Sequence, residues 1–390
     1  MYELLKNTQF LLVSLTNLCL FLVVSTWSFL PVFIVNLGGN NFDVGLVMGS
    51  IGVTSLGALP LLAPLIDRFG RKLFILTGIF IVGVSNACFL LFDAYSPLMM
   101  IVRLVQGVAF AACFNGCATF VADIVPPDKR AQGFGLFGVS GSTAVAIGPY
   151  VGEKFLLYWG FPSYFWLLVA FGMLGFCTAV MVQDQPLKRP RSKPRGFFPT
   201  AFRDGHLAMM AVAAVCGSGF AAMNTFYPLH ARNLGYQAGV FFVCYGVSLV
   251  LVRVLLGALA DNMRREKLIF YCIVGFGLML FGTSHIASVS QTILLGALFG
   301  LVQGLSYPAM MARMVDRSNE GNRAVVVSLF TGSFGVGINV SVLGWGYIAN
   351  QEGLSAMFLI GGVLMFAAAA IFFWQCMVAK PWRNQTTQTP

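Results

Sequence analysis

Charge is scarce in this sequence: Asp, Glu, Lys and Arg make up 10% of 390 residues, against 58% hydrophobic and 14% aromatic. Globular domains carry about 25% charged residues. A water-soluble fold is therefore excluded, and the mean hydropathy of +0.81 points to a polytopic membrane protein. A continuous basic stripe is also missing. The formal net charge of +10 is carried by Lys and Arg in short breaks between apolar runs, which argues against a nucleic-acid partner. Neither a G-x-S-x-G nor a G-x-x-x-x-G-K-[ST] stretch is present, and His206, His230 and His285 stand near span ends without metal spacing, so no enzyme and no cofactor is expected. The nine cysteines all fall inside apolar runs, which leaves none placed for a disulfide framework outside the membrane. Cys113 and Cys117, four apart on one helix face, read as packing residues before metal ligands. The first apolar run, Phe10 to Val35, is too long for a signal-peptide core and lacks a small-residue cleavage site.

What is present is a series of twelve apolar segments, at about 8–35, 44–66, 73–92, 98–122, 131–156, 164–182, 207–230, 239–260, 268–286, 291–314, 324–349 and 355–378. Each is long enough to cross a bilayer as a helix rising about 1.5 Å per residue. An even count leaves both termini on one side. Twenty of the 24 Lys and Arg residues fall in breaks on that side, two (Lys154 and Arg232) on the other, and two (Arg103 and Arg253) inside spans. The positive-inside rule therefore puts both termini in the cytoplasm. The longest break contains Lys-Arg-Pro-Arg-Ser-Lys-Pro-Arg, which cannot pack a core and reads as a tether; contact with anionic lipid is incidental to it. It divides the chain into 1–183, a first six-helix bundle; 184–206, a cytoplasmic linker; and 207–390, a second six-helix bundle with a short tail.

The halves repeat each other. The charged hairpin Asp67-Arg68-Phe-Gly70-Arg71-Lys72 between two apolar runs has a degenerate copy at Asp261-Asn-Met-Arg264-Arg265, Leu104-Val-Gln106-Gly107 returns as Leu301-Val-Gln303-Gly304, and Asp123-x6-Arg130 returns as Asp316-x6-Arg323. The offsets lie between 193 and 197 residues. A duplicated six-span unit that forms a site between two similar bundles is a transporter signature.

These motifs, over essentially the whole chain, resemble those of the major facilitator superfamily. The hairpin is similar to the family's G-x-L-a-D-R-x-G-R-K loop, with Ala63 in place of the first glycine; Arg103-Leu-Val-Gln106-Gly107 resembles the R-x-x-Q-G motif of proton-coupled members; Gly148-Pro149-Tyr-Val-Gly152-Glu153 resembles the G-P-x-x-G-G motif of the antiporter branches. Ala144 and Glu153 stand where that last motif usually has glycine. The resemblance implies an all-α polytopic fold of twelve transmembrane helices in two pseudo-symmetric bundles. It implies secondary active transport of a small organic solute by alternating access, as efflux coupled to proton antiport in a bacterial inner membrane. An importer or uniporter, a flippase for a lipid-like solute and, behind these, a non-transporting receptor remain open. Small-molecule substrate, protons and membrane lipids are the expected partners, and the chain is expected to act as a monomer.

Asp67, with Arg68, Gly70, Arg71 and Lys72, forms a candidate conformational latch: its carboxylate can pair with Arg71 or accept N–H groups at a helix start in the other half. Asp261 and Arg265 are the second copy. Gly148, Pro149 and Gly152 belong to a small-residue packing face along span 5, with Gly135, Gly138 and Gly141, and Pro149 permits a bend there. A charge near the bilayer centre costs at least about 2.5 kcal/mol, so Arg103, Glu153 and Arg253 are the sharpest functional pointers. Arg103 and Glu153 could pair, and competition of a proton with Arg103 or a substrate for that carboxylate would supply coupling; a Glu153 wet at the outer surface is the bland alternative. Arg253 reads as a snorkelling or hairpin-paired residue. Drug antiporters often carry an acid in span 1, where this chain has Thr16, Asn17, Ser25, Thr26 and Trp27; Glu153 is left as the main candidate. Asn17, Trp27, Asn115, Asn224, Tyr227, Tyr245, Gln303, Tyr307 and Asn339 are candidate cavity residues, each of which alone could instead be a helix-packing hydrogen bond. A cavity of amides and aromatics suits a neutral or amphipathic organic solute.

Overall fold

The computed structural model describes residues 6–126, 129–183, 206–252, 255, 263–316, 318 and 323–374. Among these the chain is helical throughout with no strand. The tether, Arg253, Gly257 and Asp261 lie outside the described residues.

The first span is α1 (Thr8–Thr26), a single 3-10 turn at Trp27–Phe29, and α2 (Leu30–Asn36). Asn7 opens it by accepting from the amides of Gln9 and Phe10, which satisfies donors that a helix start leaves without partners. The second span is α3 (Asn41–Gly57) followed by α4 (Leu59–Phe69), bent by 52° at the join. Asn40 and Asp43 form a reciprocal capping box at the start of α3. Burial and, after it, the hydrogen-bonded Asp43 carboxylate push the phenol of Tyr95, in the neighbouring loop, up to about 12. The second span ends at Gly70, whose φ of 93° lies in a region that favours glycine. From there α5 (Arg71–Val84) and α6 (Met99–Ile124) supply spans three and four.

Two helices run for 51 residues each: α7 (Arg130–Val180) and, late in the chain, α12 (Arg323–Phe373). Each reverses at one glycine with positive φ, Gly160 (77°) and Gly353 (83°). A Cβ on Gly152 would lie 3.5 Å from the Tyr164 ring and one on Gly361 would lie 3.4 Å from the Trp345 ring. A straight helix would hold residues 152 and 164 about 18 Å apart. Each long helix is therefore a hairpin of two spans. Pro149 sits within α7 without taking the backbone out of helical angles, and the reversal at Gly160 falls in the break expected between 131–156 and 164–182. Between the two long helices come α8 (Leu207–Asn233), α9 (Ala238–Leu251), α10 (Arg265–Ser284) and α11 (Val289–Asp316). Among the described residues eight helices are long and apolar enough to cross a membrane, and the bent pair α3 and α4 makes a ninth. With α7 and α12 each double and α9 opening a span that runs beyond the described residues, the arrangement is consistent with twelve.

Helices from before and after the tether meet along two seams. In one, Gly45 of α3 faces α12: a Cβ there would come within 2.9 Å of the Val342 carbonyl and 3.2 Å of Gly346 Cα. In the other, a Cβ on Gly246 of α9 would lie 2.1 Å from Ala146 Cβ of α7. Both contacts lie toward the face opposite the charged hairpin. Toward the hairpin face, Gly57, Gly135, Gly138 and Gly332 would meet nothing within 4 Å if given a Cβ. The small-residue face expected along span 5 is thus a packing face only in its far half, where Gly148 and Gly152 lie against Ser25 and Thr26. The close approaches between the two halves thus gather on the face opposite the hairpin.

Candidate functional site

At the closed face, α7 delivers Glu153 to the start of α9. The residue is 6% exposed. Its Oε1 accepts from the amide of Ala238 at 2.7 Å and its Oε2 from the amide of Gly239 at 2.8 Å. The residue that should cap α9, Gln237, makes no side-chain cap bond of its own. First-turn amides have no partner within their helix and carry the positive end of its dipole, so a carboxylate from the other half completes α9. Gly239 is required, because a Cβ there would lie 2.6 Å from Glu153 Oε2.

Other polar contacts join the halves on the same face, two beside this carboxylate and one in the seam between α3 and α12. Lys154 Nζ donates to Gln237 Oε1 at 3.1 Å, Arg232 Nη1 to Asn36 Oδ1 at 2.7 Å, and Asn41 Nδ2 to the Ala349 carbonyl at 3.0 Å. Between them lies a cavity of about 540 Å³, lined from both halves by residues that include Val32, Glu153, Leu157, Phe161, Pro228 and Arg232.

Arg103 is buried, at 2% exposure, but Glu153 is not its partner. Its Nη1 donates to Gln106 Oε1 at 2.8 Å, and its guanidinium carbon sits 4.3 Å from the centre of the Trp27 ring. Gln106 passes the network on to Ser85 Oγ at 3.1 Å and Asn86 Oδ1 at 3.4 Å, where Trp27 Nε1 also donates at 2.8 Å. The pair considered from sequence is replaced by two separate sets. The guanidinium and indole stack within the first half, where a cation over an aromatic face is stabilised, while the carboxylate reaches into the second. Trp27 is therefore part of the Arg103 network. Ser85 and Asn86 were missed by sequence reasoning, although two polar residues inside an apolar run were a signal.

At the hairpin face, Arg71 bridges two carboxylates: its Nη2 lies 3.1 Å from Asp67 Oδ1 and its Nε 2.9 Å from Asp123 Oδ2. Of the two expected partners of Asp67, the structure shows Arg71. Arg68 lies over the Phe69 ring at 5.2 Å, and Lys72 is half-buried. The second copy repeats the bridge from span to span, with Arg265 paired to Asp316 and Arg313 to Glu266 at 2.8 Å.

The cavity candidates divide. Asn17 Nδ2 donates to Ser140 Oγ at 2.8 Å, joining spans one and five, and Tyr227 is fully buried against Phe241 with ring centres 4.2 Å apart. Tyr245 stacks near Phe299 at 4.5 Å. Asn115, Asn224 and Asn339 each donate to a carbonyl four residues earlier and stay half-buried. Gln303 is 8% exposed. Tyr307 is half-buried and meets Phe330 and Phe334 edge-on at 4.9 and 5.3 Å. A matching group in the first half, Phe21 with Phe110 and Phe114 at 6.1 and 5.7 Å, also remains half-buried.

The Major Facilitator Superfamily model matches residues 12–241 and 236–389. The staphylopine export protein of Staphylococcus aureus is 23% identical over 375 residues, covering 90% of this chain and 92% of its own. Multidrug resistance protein 2 of Bacillus subtilis is 22% identical over 353 residues, 87% of each chain. In fold, the crystal structure of the nucleoside transporter NupG superposes with a TM-score of 0.77 over 94% of this chain and 98% of that one, at 12% identity. The chain belongs to the Major Facilitator Superfamily, as a membrane transporter resembling its drug-efflux branch.

Proposed function

We propose that this protein exports a small organic solute in exchange for protons, with Glu153 as the proton-sensitive bond that holds the outer face shut. The reading takes the hairpin face as cytoplasmic, with both termini there. The bundles 1–183 and 207–390, joined by 184–206, rock about a site between them in a single chain of the inner membrane. The observation that carries it is the grip of one carboxylate on two amides across the halves.

Exchange demands that the carrier cross with a proton or with solute, and not empty. Hydrogen bonds to a charged group contribute about 1.5–3 kcal/mol each, so an ionised Glu153 keeps the empty carrier closed outside. Protonation removes the charge that favours the start of α9, and the closed face is then free to part. Solute bound between the halves offsets the same bonds by its own contacts. The half-buried aromatic groups around Phe21 and Tyr307, with amides at Asn115, Asn224 and Asn339, favour a solute with apolar surface and little fixed charge.

Proteoliposomes with an imposed proton gradient test this. Glu153→Gln is expected to abolish gradient-driven export while solute–solute exchange persists. Unchanged pH-dependent export in that variant removes Glu153 from the mechanism. Accumulation with the gradient in the wild-type protein would instead establish uptake.

A further inference from the structure

The cavity beside Glu153 has a chemistry that the exchange cycle does not use. Its walls are mixed, with apolar Phe29, Val32, Leu157, Phe161 and Pro228 beside polar Asn36, Tyr236 and Gln237. Its single carboxylate, Glu153, is already held by two amides. Its cation, Arg232, is exposed, and the hydrogen bond it makes is to the neutral side chain of Asn36. Lys154, next to Glu153, likewise donates to a neutral amide, Gln237. The charge of Lys154 acts on the adjacent Glu153, whereas among the described residues Arg232 has no carboxylate in ion-pair reach. The cavity therefore offers an apolar wall on one side and, among polar side chains, an exposed cation on the other. A guanidinium with donors to spare in its planar fork matches a carboxylate.

We infer that this cavity binds a single-chain amphiphile with an anionic head, such as a medium-chain alkyl carboxylate, with the head on Arg232 and the chain among the apolar walls. About 540 Å³ falls in the range of small-molecule pockets, about 300–1,000 Å³, which suits one alkyl chain rather than a two-chain phospholipid. The lining comes from the 3-10 turn at Trp27–Phe29 and α2, from α7 on either side of Gly160, and from α8 and the turn after it. An occupant thus touches both halves at once. It binds only while they are closed on this face, and so it stabilises that state from outside.

Purified protein in nanodiscs of zwitterionic lipid, titrated with dodecanoate, reads binding by calorimetry and state by the reactivity of a cysteine placed in the outer seam. Dodecanoate is expected to bind and to slow labelling, with affinity at least tenfold weaker in Arg232→Gln and partly restored in Arg232→Lys. Leu157→Trp, which narrows the cavity without touching the cation, is expected to weaken binding while the apo melting temperature stays in place. Equal binding by Arg232→Gln, equal binding of dodecanol, or preference for dodecyltrimethylammonium would each overturn the anion site. Displacement of dodecanoate by phosphatidylglycerol at equal head-group concentration would assign the cavity to membrane lipid and overturn the single-chain occupant. These readouts need no solute flux, so they stand or fall apart from the proton-exchange reading.

Discussion

Gly239 shows how much rests on one absent methyl group. The Glu153 carboxylate reaches the start of α9 because nothing projects from that position; an alanine Cβ would lie 2.6 Å from Oε2. Gly239→Ala is therefore expected to push the carboxylate off at least one amide while leaving the charge of the site intact. A helix start that loses its cap is weakened by about 1 kcal/mol. That corresponds to a shift of about fivefold toward the state open on this face. The labelling rate of a cysteine introduced beside the seam should rise by that factor; no change would show that Glu153 is not what holds the seam. From the sequence, Glu153 stood out as an acid where the related motif has glycine, but its partner could not be read. The amides of Ala238 and Gly239 belong to the backbone and lie 85 and 86 residues away in the chain. Arg103 and its neighbour Gln106 were visible as polar residues inside a span, yet their stacking on Trp27 depends on how two helices face each other.

At the level of helices, the apolar runs were legible because hydropathy reports where backbone must satisfy its own hydrogen bonds in lipid. The observed ends lie within a few residues of those read from the sequence, as in α8, expected over 207–230 and found at Leu207–Asn233. The two reversals were legible as well: Gly160 and Gly353 fall in the breaks left between 131–156 and 164–182 and between 324–349 and 355–378. The bend between α3 and α4 was not, because it lies inside a single apolar run, at Ala58, whose own backbone angles are helical. The seam between α7 and α9 carries its own prediction. A side chain on Gly246 has only the 2.1 Å to Ala146 Cβ in which to fit, so Gly246→Leu wedges apart the face opposite the hairpin. Overpacking of this kind costs about 1–3 kcal/mol, and the cost falls on the closed state alone. The variant is expected to show the opposite face exposed and the hairpin face protected, as measured by paired-label distances on each side; distances unchanged on both sides would mean that the seam relaxes locally.

For the molecule as a whole, the charged hairpins of the two halves share one described bond, from the hairpin arginine to the aspartate that ends a neighbouring span. Arg71 ties Asp67 to Asp123 at the end of α6, and Arg265 is tied to Asp316 at the end of α11. These contacts stay within one half, so they brace each bundle as a rigid body and do not oppose its separation from the other. When the hairpin face closes, Asp67, which is half exposed at 46%, is the carboxylate with room to exchange partners, because Arg71 keeps Asp123. A latch of this kind favours the closed hairpin face only if the Asp67 charge gains a partner there, such as the start of a helix in the other half. Asp67→Asn removes that gain and leaves the Arg71–Asp123 pair in place. It is expected to enlarge the population open on the hairpin face, by about tenfold for each 1.4 kcal/mol of lost latch energy. Distances between spin labels on the two hairpin loops would report it. Identical distance distributions in Asp67→Asn and the wild-type protein would reduce the hairpin to a determinant of topology, leaving the Glu153 carboxylate to set the balance between the two faces alone.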